Sequence, residues 1–526
     1  MLYKVHSRRR FLQNTALFST STLITLLSHT HHSRTSAQSV KDEPIDALII
    51  GSGFGGAVAA LRLGQVGMKT LVIERGRRWS ITPEQNTFAT LRKPDGRAAW
   101  LSSKTFDGNS IDVYTGVLEL KQGNRISVLS GTGVGGGSLV YNAILFQPSR
   151  EFFYRSFPRT LDIYDELDKT YYPLVNSIMK PTPIPEDILN TDYYLSTRVF
   201  MNQAKQAGFK HRLLDLSIDW NVVREEIKGT KVPSIINGEH WFGCNSGAKN
   251  SLDRNYLAQA EKTGSVEILP LHMVTEIAEI PGESRYRVFC NQIDESGQVV
   301  EIKSFTCRFL FLAAGSLGTS ELLVKAKAKG TLPKLNEYIG QFWGTNGDTL
   351  GILSNLSQTN PTQGGSAGAA ILNWDNKTPI TLINFPNVTA SEKTIQCLGL
   401  AISPAEGNFT YNMATDSVNL NWPADSKRNK ELEKATAQTY KNLEPKNPVS
   451  MPNNKPASEF SIGTTAHPLG GAVLGKACDE YGRVRGYQGL YVVDGALIPG
   501  STGCVNPALT IAALAERCMD KIVREI

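Results

Sequence analysis

Cysteine is scarce in this chain: Cys244, Cys290, Cys307, Cys397, Cys478, Cys504 and Cys518 are the only seven among 526 residues, and no CxxC pair occurs. So odd and scattered a set excludes a disulfide framework and leaves room for a single bridge at most. Histidine is equally thin. Of eight, four fall in the first 39 residues, and His211, His240, His272 and His467 are too dispersed for a metal-ligand pattern. No fixed-period repeat is present, and no Asp or Glu occurs before Val40. The apolar run from Thr15 to Leu27 is shorter than the roughly 20 residues that cross a bilayer.

What is present is a long chain with 41% apolar residues and scattered charge, enough for two sizeable cores of a globular enzyme. Residues 1–39 contain five Lys or Arg, and removing them turns 55 basic and 49 acidic residues into 50 against 49. The basicity is a property of the leader, so a nucleic-acid surface has no support and attraction to anionic lipid is small. Ser7-Arg8-Arg9-Arg10-Phe11-Leu12 resembles a twin-arginine export signal. The resemblance implies that residues 1–39 are a signal peptide and that the protein is exported folded, cofactor in place, to the periplasm or medium. A disordered basic leader is the alternative.

The run Ile45 to Ile50 fits a buried strand, and Gly51-Ser52-Gly53-Phe54-Gly55-Gly56 then opens a helical pattern through Ala57, Ala60, Leu61 and Leu63. A second apolar run, Thr70 to Ile73, ends at Glu74. In a dinucleotide-binding unit Gly51 permits the tight turn, Gly53 admits a pyrophosphate to the backbone, and Gly56 lets helix and strand pack closely. Glu74 would accept hydrogen bonds from the adenosine ribose, and the amides at the helix start would receive phosphate. A tight turn in a non-binding sheet is the bland alternative, and the fingerprint alone does not separate NAD from FAD.

The next glycine cluster, Gly131-Thr132-Gly133-Val134-Gly135-Gly136-Gly137-Ser138-Leu139-Val140-Tyr141-Asn142, exposes backbone amides over which a planar ring and a diphosphate can pack. This stretch resembles the flavin-contacting segment of the glucose-methanol-choline (GMC) oxidoreductases, especially their noncovalent bacterial cholesterol oxidases. The resemblance extends over nearly all of the chain after the leader, through His272-Met273-Val274-Thr275-Glu276-Ile277, Cys244 to Leu257 and Phe311 to Asn336. It implies an FAD cofactor with Gly51, Gly53, Phe54, Gly55, Gly56, Glu74, Gly131, Gly133, Gly136, Gly137, Ser138, Asn142, Val274, Asp494 and Gly495 around it. No histidine lies between Asn124 and Arg150, so the flavin is expected to be noncovalent.

The resemblance is strongest near the C-terminus. His467-Pro468-Leu469-Gly470-Gly471 precedes a buried-looking strand, Leu490 to Val493, then Asp494-Gly495, and Asn506-Pro507 opens the last helix. Alcohol oxidation removes a proton from oxygen and a hydride from carbon. A neutral histidine can take the first, and an asparagine amide can orient the oxygen as charge develops. The family pattern gives these roles to His467 and Asn506, with Asp494 near the phosphate or ribitol side of the flavin; as a helix cap, Asn506 would have a merely structural task. Two departures stand out: Ala466 replaces an expected aromatic, and Cys504 lies in a one-residue expansion that leaves the placement of Asn506 open.

Chain order suggests an α/β flavin-binding Rossmann-like domain, residues 40–150, 237–345 and 461–526, and a discontinuous α+β substrate domain on an antiparallel sheet, residues 151–236 and 346–460. Trp241, Trp343, Trp374 and Trp422 are candidates to line an apolar cavity between them. The implied activity is oxidation of a sterol 3-hydroxyl with oxygen as acceptor, giving hydrogen peroxide, with transient membrane-surface contact during sterol extraction. The glutamate that would shift the steroid double bond falls at Ile383 or Asn384, neither of them a base; Glu392 would serve only in another register. A dehydrogenase of another bulky alcohol using a quinone or protein acceptor, and a non-enzymatic flavin-bound sterol-binding protein, are the alternatives.

Overall fold

The computed structural model describes residues 45–353, 365–386, 388, 393–443, 449–450 and 463–526. The leader motif Ser7 to Leu12 and Glu392 lie outside the described residues. Ile45–Ile50 alternates with nothing: its last four residues are all buried, as a strand covered on both faces requires. It pairs in parallel with Thr70–Ile73 on one side and with the second half of the 14-residue strand Val299–Leu312 on the other. Val266–Leu269 extends the parallel edge beside Thr70–Ile73, and Leu490–Val492 pairs in parallel with Leu310 to Leu312. The first half of Val299–Leu312 instead pairs antiparallel with Tyr286–Ile293, which pairs with His272–Glu279. One long strand therefore belongs both to a parallel sheet and to an antiparallel meander.

The helix Phe54–Gln65 crosses from the first strand to the second, buried along most of its length by Ala57, Val58, Ala60, Leu61 and Leu63. It packs against Tyr256–Lys262 and Ala508–Ile522. Between them Glu516, 1% exposed, accepts from Arg62 Nε at 2.6 Å and from Tyr256 Oη at 2.8 Å, so three helices remote in sequence share one carboxylate.

The second sheet is antiparallel, in the spatial order Val449–Ser450, Thr349–Leu353, Ile395–Ala401, Ile380–Phe385, Ala369–Asn373 and Lys210–Leu213. The stretch between Arg150 and Lys228 contributes only the last of these strands and is otherwise helical, with Leu195–Gln206 packed on the sheet. Its apolar spacing serves one-sided helices: Phe200 and Ala204, four apart, are both fully buried. Ile383 and Asn384 lie in the central strand, where Asn384 accepts from Ala369 N and donates to Thr197 Oγ1. Both are structural. All seven cysteines are buried and unpaired. No helix among the described residues is long and apolar enough to cross a membrane.

Candidate active site and cofactor cradle

The two glycine segments meet at the carboxyl ends of the parallel strands. Gly51 has φ +96°, and a Cβ there would collide with the Ala313 carbonyl of the neighbouring strand end. Gly136, at φ +53°, approaches so closely that a Cβ on it would lie 2.7 Å from Gly53 Cα. Ser52 stitches the two segments together: its Oγ donates to Glu74 Oε2 at 2.7 Å and accepts from Gly135 N at 3.1 Å. Glu74, 5% exposed, also receives Gly76 N on Oε1.

Gly53 and Gly137 differ from their neighbours, because a Cβ on either would meet no protein atom within 4 Å. Gly53 is also the N-cap of Phe54–Gln65 and supplies no side-chain acceptor to the first-turn amides. Unpaired amides at a helix start, opening on a gap that only glycine leaves clear, fit a diphosphate.

The other cradle residues divide by what their side chains do. Phe54 packs edge-on against Tyr141 with ring centroids 5.7 Å apart. Gly131 and Gly133 turn the chain under Gly137 and beside Arg77. Ser138 Oγ donates to Gly135 O and accepts from Leu252 N, so its side chain serves the loop. Asn142 Oδ1 accepts from His240 Nε2 at 3.1 Å. Val274 sits at a register shift in His272–Glu279. Asp494 ends its strand behind Gly55, where Thr319 Oγ1 and Ala496 N donate to it; burial nevertheless pushes its carboxyl up to about 6. Gly495 O accepts from Gly470 N at 2.9 Å, which joins the Asp494 turn to the segment carrying His467.

His467 and Asn506 come together. Asn506 Nδ2 is 3.5 Å from His467 Nε2, and Asn506 Oδ1 is buried with no partner among the described residues. The last helix is capped at Pro507 with no side-chain bond, so Asn506 is not its cap. Cys504 turns this loop with φ +63°; its carbonyl accepts from Thr381 Oγ1 and its thiol donates to Pro379 O. Asn346 fixes the other side by donating to Val505 O and accepting from Thr502 N. The loop is thus held from outside in the turn that brings Asn506 to the histidine.

The residue that sequence reasoning missed is Asp348. Its Oδ1 lies 2.7 Å from His467 Nδ1, while Oδ2 accepts from Thr465 Oγ1 and Ala466 N, both at 2.9 Å. An acceptor-only carboxylate at Nδ1 places the ring proton there and leaves the Nε2 lone pair turned to Asn506. Val505, the residue before Asn506, belongs to a buried apolar wall with Ile144, Phe146, Phe385 and Leu400. Trp241 and Trp374 pack on this wall, at 5.5 Å from Phe385 and 6.1 Å from Phe146. Trp343 and Trp422 do not: they pack edge to face on each other, buried in the core cluster that also holds Phe409 and Leu420. Among the described residues no group of three His, Cys, Asp or Glu is placed to hold a metal.

Glycine turns that would cradle a diphosphate, joined through the Asp494 turn to a paired histidine and amide, are what a nucleotide-dependent oxidoreductase requires, and family comparison says which. The GMC oxidoreductase N-terminal model matches residues 45–333 and the C-terminal model residues 408–515: the chain belongs to the GMC oxidoreductases, a family of FAD-dependent enzymes acting on alcohols. It is similar to cholesterol oxidase of Mycobacterium tuberculosis, 28% identical over 90% of each chain, and to cholesterol oxidase of Acinetobacter baumannii, 26% identical over 91% of this chain and 94% of that one. A long-chain-alcohol oxidase of Arabidopsis thaliana is 22% identical over 94% of this chain and 69% of its own. The fold matches pyridoxine 4-oxidase from Mesorbium loti with a TM-score of 0.64 at 15% identity, covering 91% and 99% of the two chains.

Proposed function

We propose that this protein oxidises the hydroxyl of a sterol, or of an alcohol of similar bulk, to the ketone, with oxygen as final acceptor and hydrogen peroxide as product. The observation that carries the reading is His467 Nε2, free to accept, facing Asn506 Nδ2 with Asp348 behind it. Bound noncovalently in the cradle, FAD supplies the hydride acceptor and the electron store. An alcohol oxygen seated between the two side chains donates its proton to His467 Nε2 and accepts from Asn506 Nδ2. As the proton moves, the imidazole gains charge and Asp348 balances it; as the oxygen gains charge, the Asn506 amide stabilises it. The apolar wall favours a bulky hydrocarbon and excludes water. Similarity to two cholesterol oxidases supports a sterol, and similarity to a long-chain-alcohol oxidase supports a fatty alcohol as the second reading. The leader motif supports export of the folded, loaded protein, with sterol taken up in passing contact with a membrane surface.

Cholesterol added anaerobically to the purified flavoprotein is expected to bleach the oxidised-flavin band, and admitting air is expected to restore it with peroxide. Bleaching by a long-chain alcohol alone would move the assignment to the second reading. Reoxidation only by a quinone or dye would make the protein a dehydrogenase, and no bleaching by any bulky alcohol would leave a binding protein.

Asp348→Asn keeps the size of the side chain but faces an amide group toward donors and removes the balancing charge. Its kcat is expected to fall about 100-fold with KM nearly unchanged, because the group acts on the histidine and not on bound substrate. Steady-state kinetics of the purified variant check this; a fall in kcat/KM arising wholly from KM would assign Asp348 to substrate binding.

A further inference from the structure

Lys249 lies in the loop after Cys244 and points inward, with 2% of its surface exposed. Its Nζ donates to Leu139 O at 2.9 Å and to His240 O at 2.8 Å, and lies 5.8 Å from the centre of the Tyr141 ring. No carboxylate among the described residues forms an ion pair with it. The titratable groups that face it are Asp253, Cys244, His240 and Tyr141, and Asp253 already receives the Ser251 hydroxyl. Burial pushes the ammonium down to about 7, and burial together with that ammonium holds His240 well below the usual imidazole range. A cavity of about 10 Å³, lined by Trp79, Phe88, Leu139, Cys244, Ser251 and Asp253, adjoins it. With so little of its surface exposed, the charge on Lys249 is poorly screened by bulk solvent.

Keeping a cation in such a place is costly unless something answers to it. Leu139 closes the turn Gly136–Leu139 of the second glycine segment, and Tyr141 packs on Phe54 of the first. The ammonium therefore stands one side chain behind the junction of both cradle segments. We infer that Lys249 is a positioning charge for the redox state of the cofactor: a buried cation behind the cradle that stabilises the reduced flavin and raises its potential. The inference rests on the FAD reading above. Reduction adds negative charge to the flavin, and a poorly screened cation favours that state. A lysine that merely tied Leu139 to the His240 loop would affect stability and leave the potential alone.

The test is a dye-linked redox titration of the flavin-loaded protein at pH 6, where the lysine carries its charge. Lys249→Met is expected to lower the reduced-to-oxidised ratio at fixed potential about tenfold, about 30 mV for a two-electron couple. Asp253→Asn removes the facing carboxylate and is expected to shift the potential upward. A loaded Lys249→Met variant with the parent's potential would overturn the inference while leaving the FAD reading intact. Should Lys249→Met not retain flavin, the direction of the Asp253→Asn shift decides, and an unchanged or lower potential there overturns it as well. Parent protein purified without a flavin spectrum would overturn the FAD reading and this inference with it.

Discussion

His467→Gln is expected to slow anaerobic flavin reduction by the alcohol about 1,000-fold while FAD stays bound. General-base catalysis contributes roughly 100- to 10,000-fold, and glutamine can hydrogen-bond but cannot take a proton at neutral pH. The substitution is gentle on the fold, since Asp348 keeps Thr465 Oγ1 and Ala466 N as donors when the imidazole is gone. Stopped-flow absorbance of parent and variant, each with its flavin content measured, gives the ratio directly. A variant within a factor of a few of the parent would mean that the proton leaves through another group, and Asn506 would then be orienting substrate toward solvent.

The second large effect is on cofactor retention. Gly53→Val is expected to give a folded but colourless protein, with FAD affinity lowered at least 1,000-fold. The backbone at Gly53, φ −71° and ψ −164°, is extended and open to any residue, and a Cβ there would meet no atom within 4 Å beyond its own chain neighbours. It enters the gap over the helix start instead, where a diphosphate must touch bare amides. Gly55→Ala makes the contrast, because its Cβ would collide with the Val493 carbonyl, a backbone atom that cannot yield. That variant is expected to misfold or melt far below the parent. Circular dichroism and flavin absorbance separate the two outcomes; a yellow, fully loaded Gly53→Val protein would place the diphosphate elsewhere.

Much of the flavin-side architecture was legible because its signals are local. A buried strand, a glycine turn, a helix and an acid-ended strand follow one another within 30 residues, and each part has one physical task. His467 and Asn506 were legible as residue types suited to the chemistry, but their approach across the site was not: it depends on the Cys504 turn, held from outside by Asn346, Thr381 and Pro379. Asp348 was invisible for the same reason. Its partner lies 119 positions away, and in sequence it is one more polar residue in a Thr-Asn-Gly-Asp turn. The tryptophans show the limit of composition: Trp343 and Trp422 fill a core while Trp241 and Trp374 meet the apolar wall, and nothing in the residue type tells them apart. Asp494 was readable as a strand-end acid, whereas the burial that raises its pKa came only from the packing around it.

The short strand Leu490–Val492 has a consequence for the history of each molecule. It docks on Leu310 to Leu312, and the residue after it, Val493, forms the floor under Gly55. The first nucleotide-binding turn thus waits for a residue 438 positions further along the chain before its floor exists. A nascent chain can form the helix Phe54–Gln65 early, yet the turn lacks that floor until Val493 has been added, and closing so long a loop is slow. The turn that begins the cradle is thus made early and completed only when a distant segment of the chain docks on it.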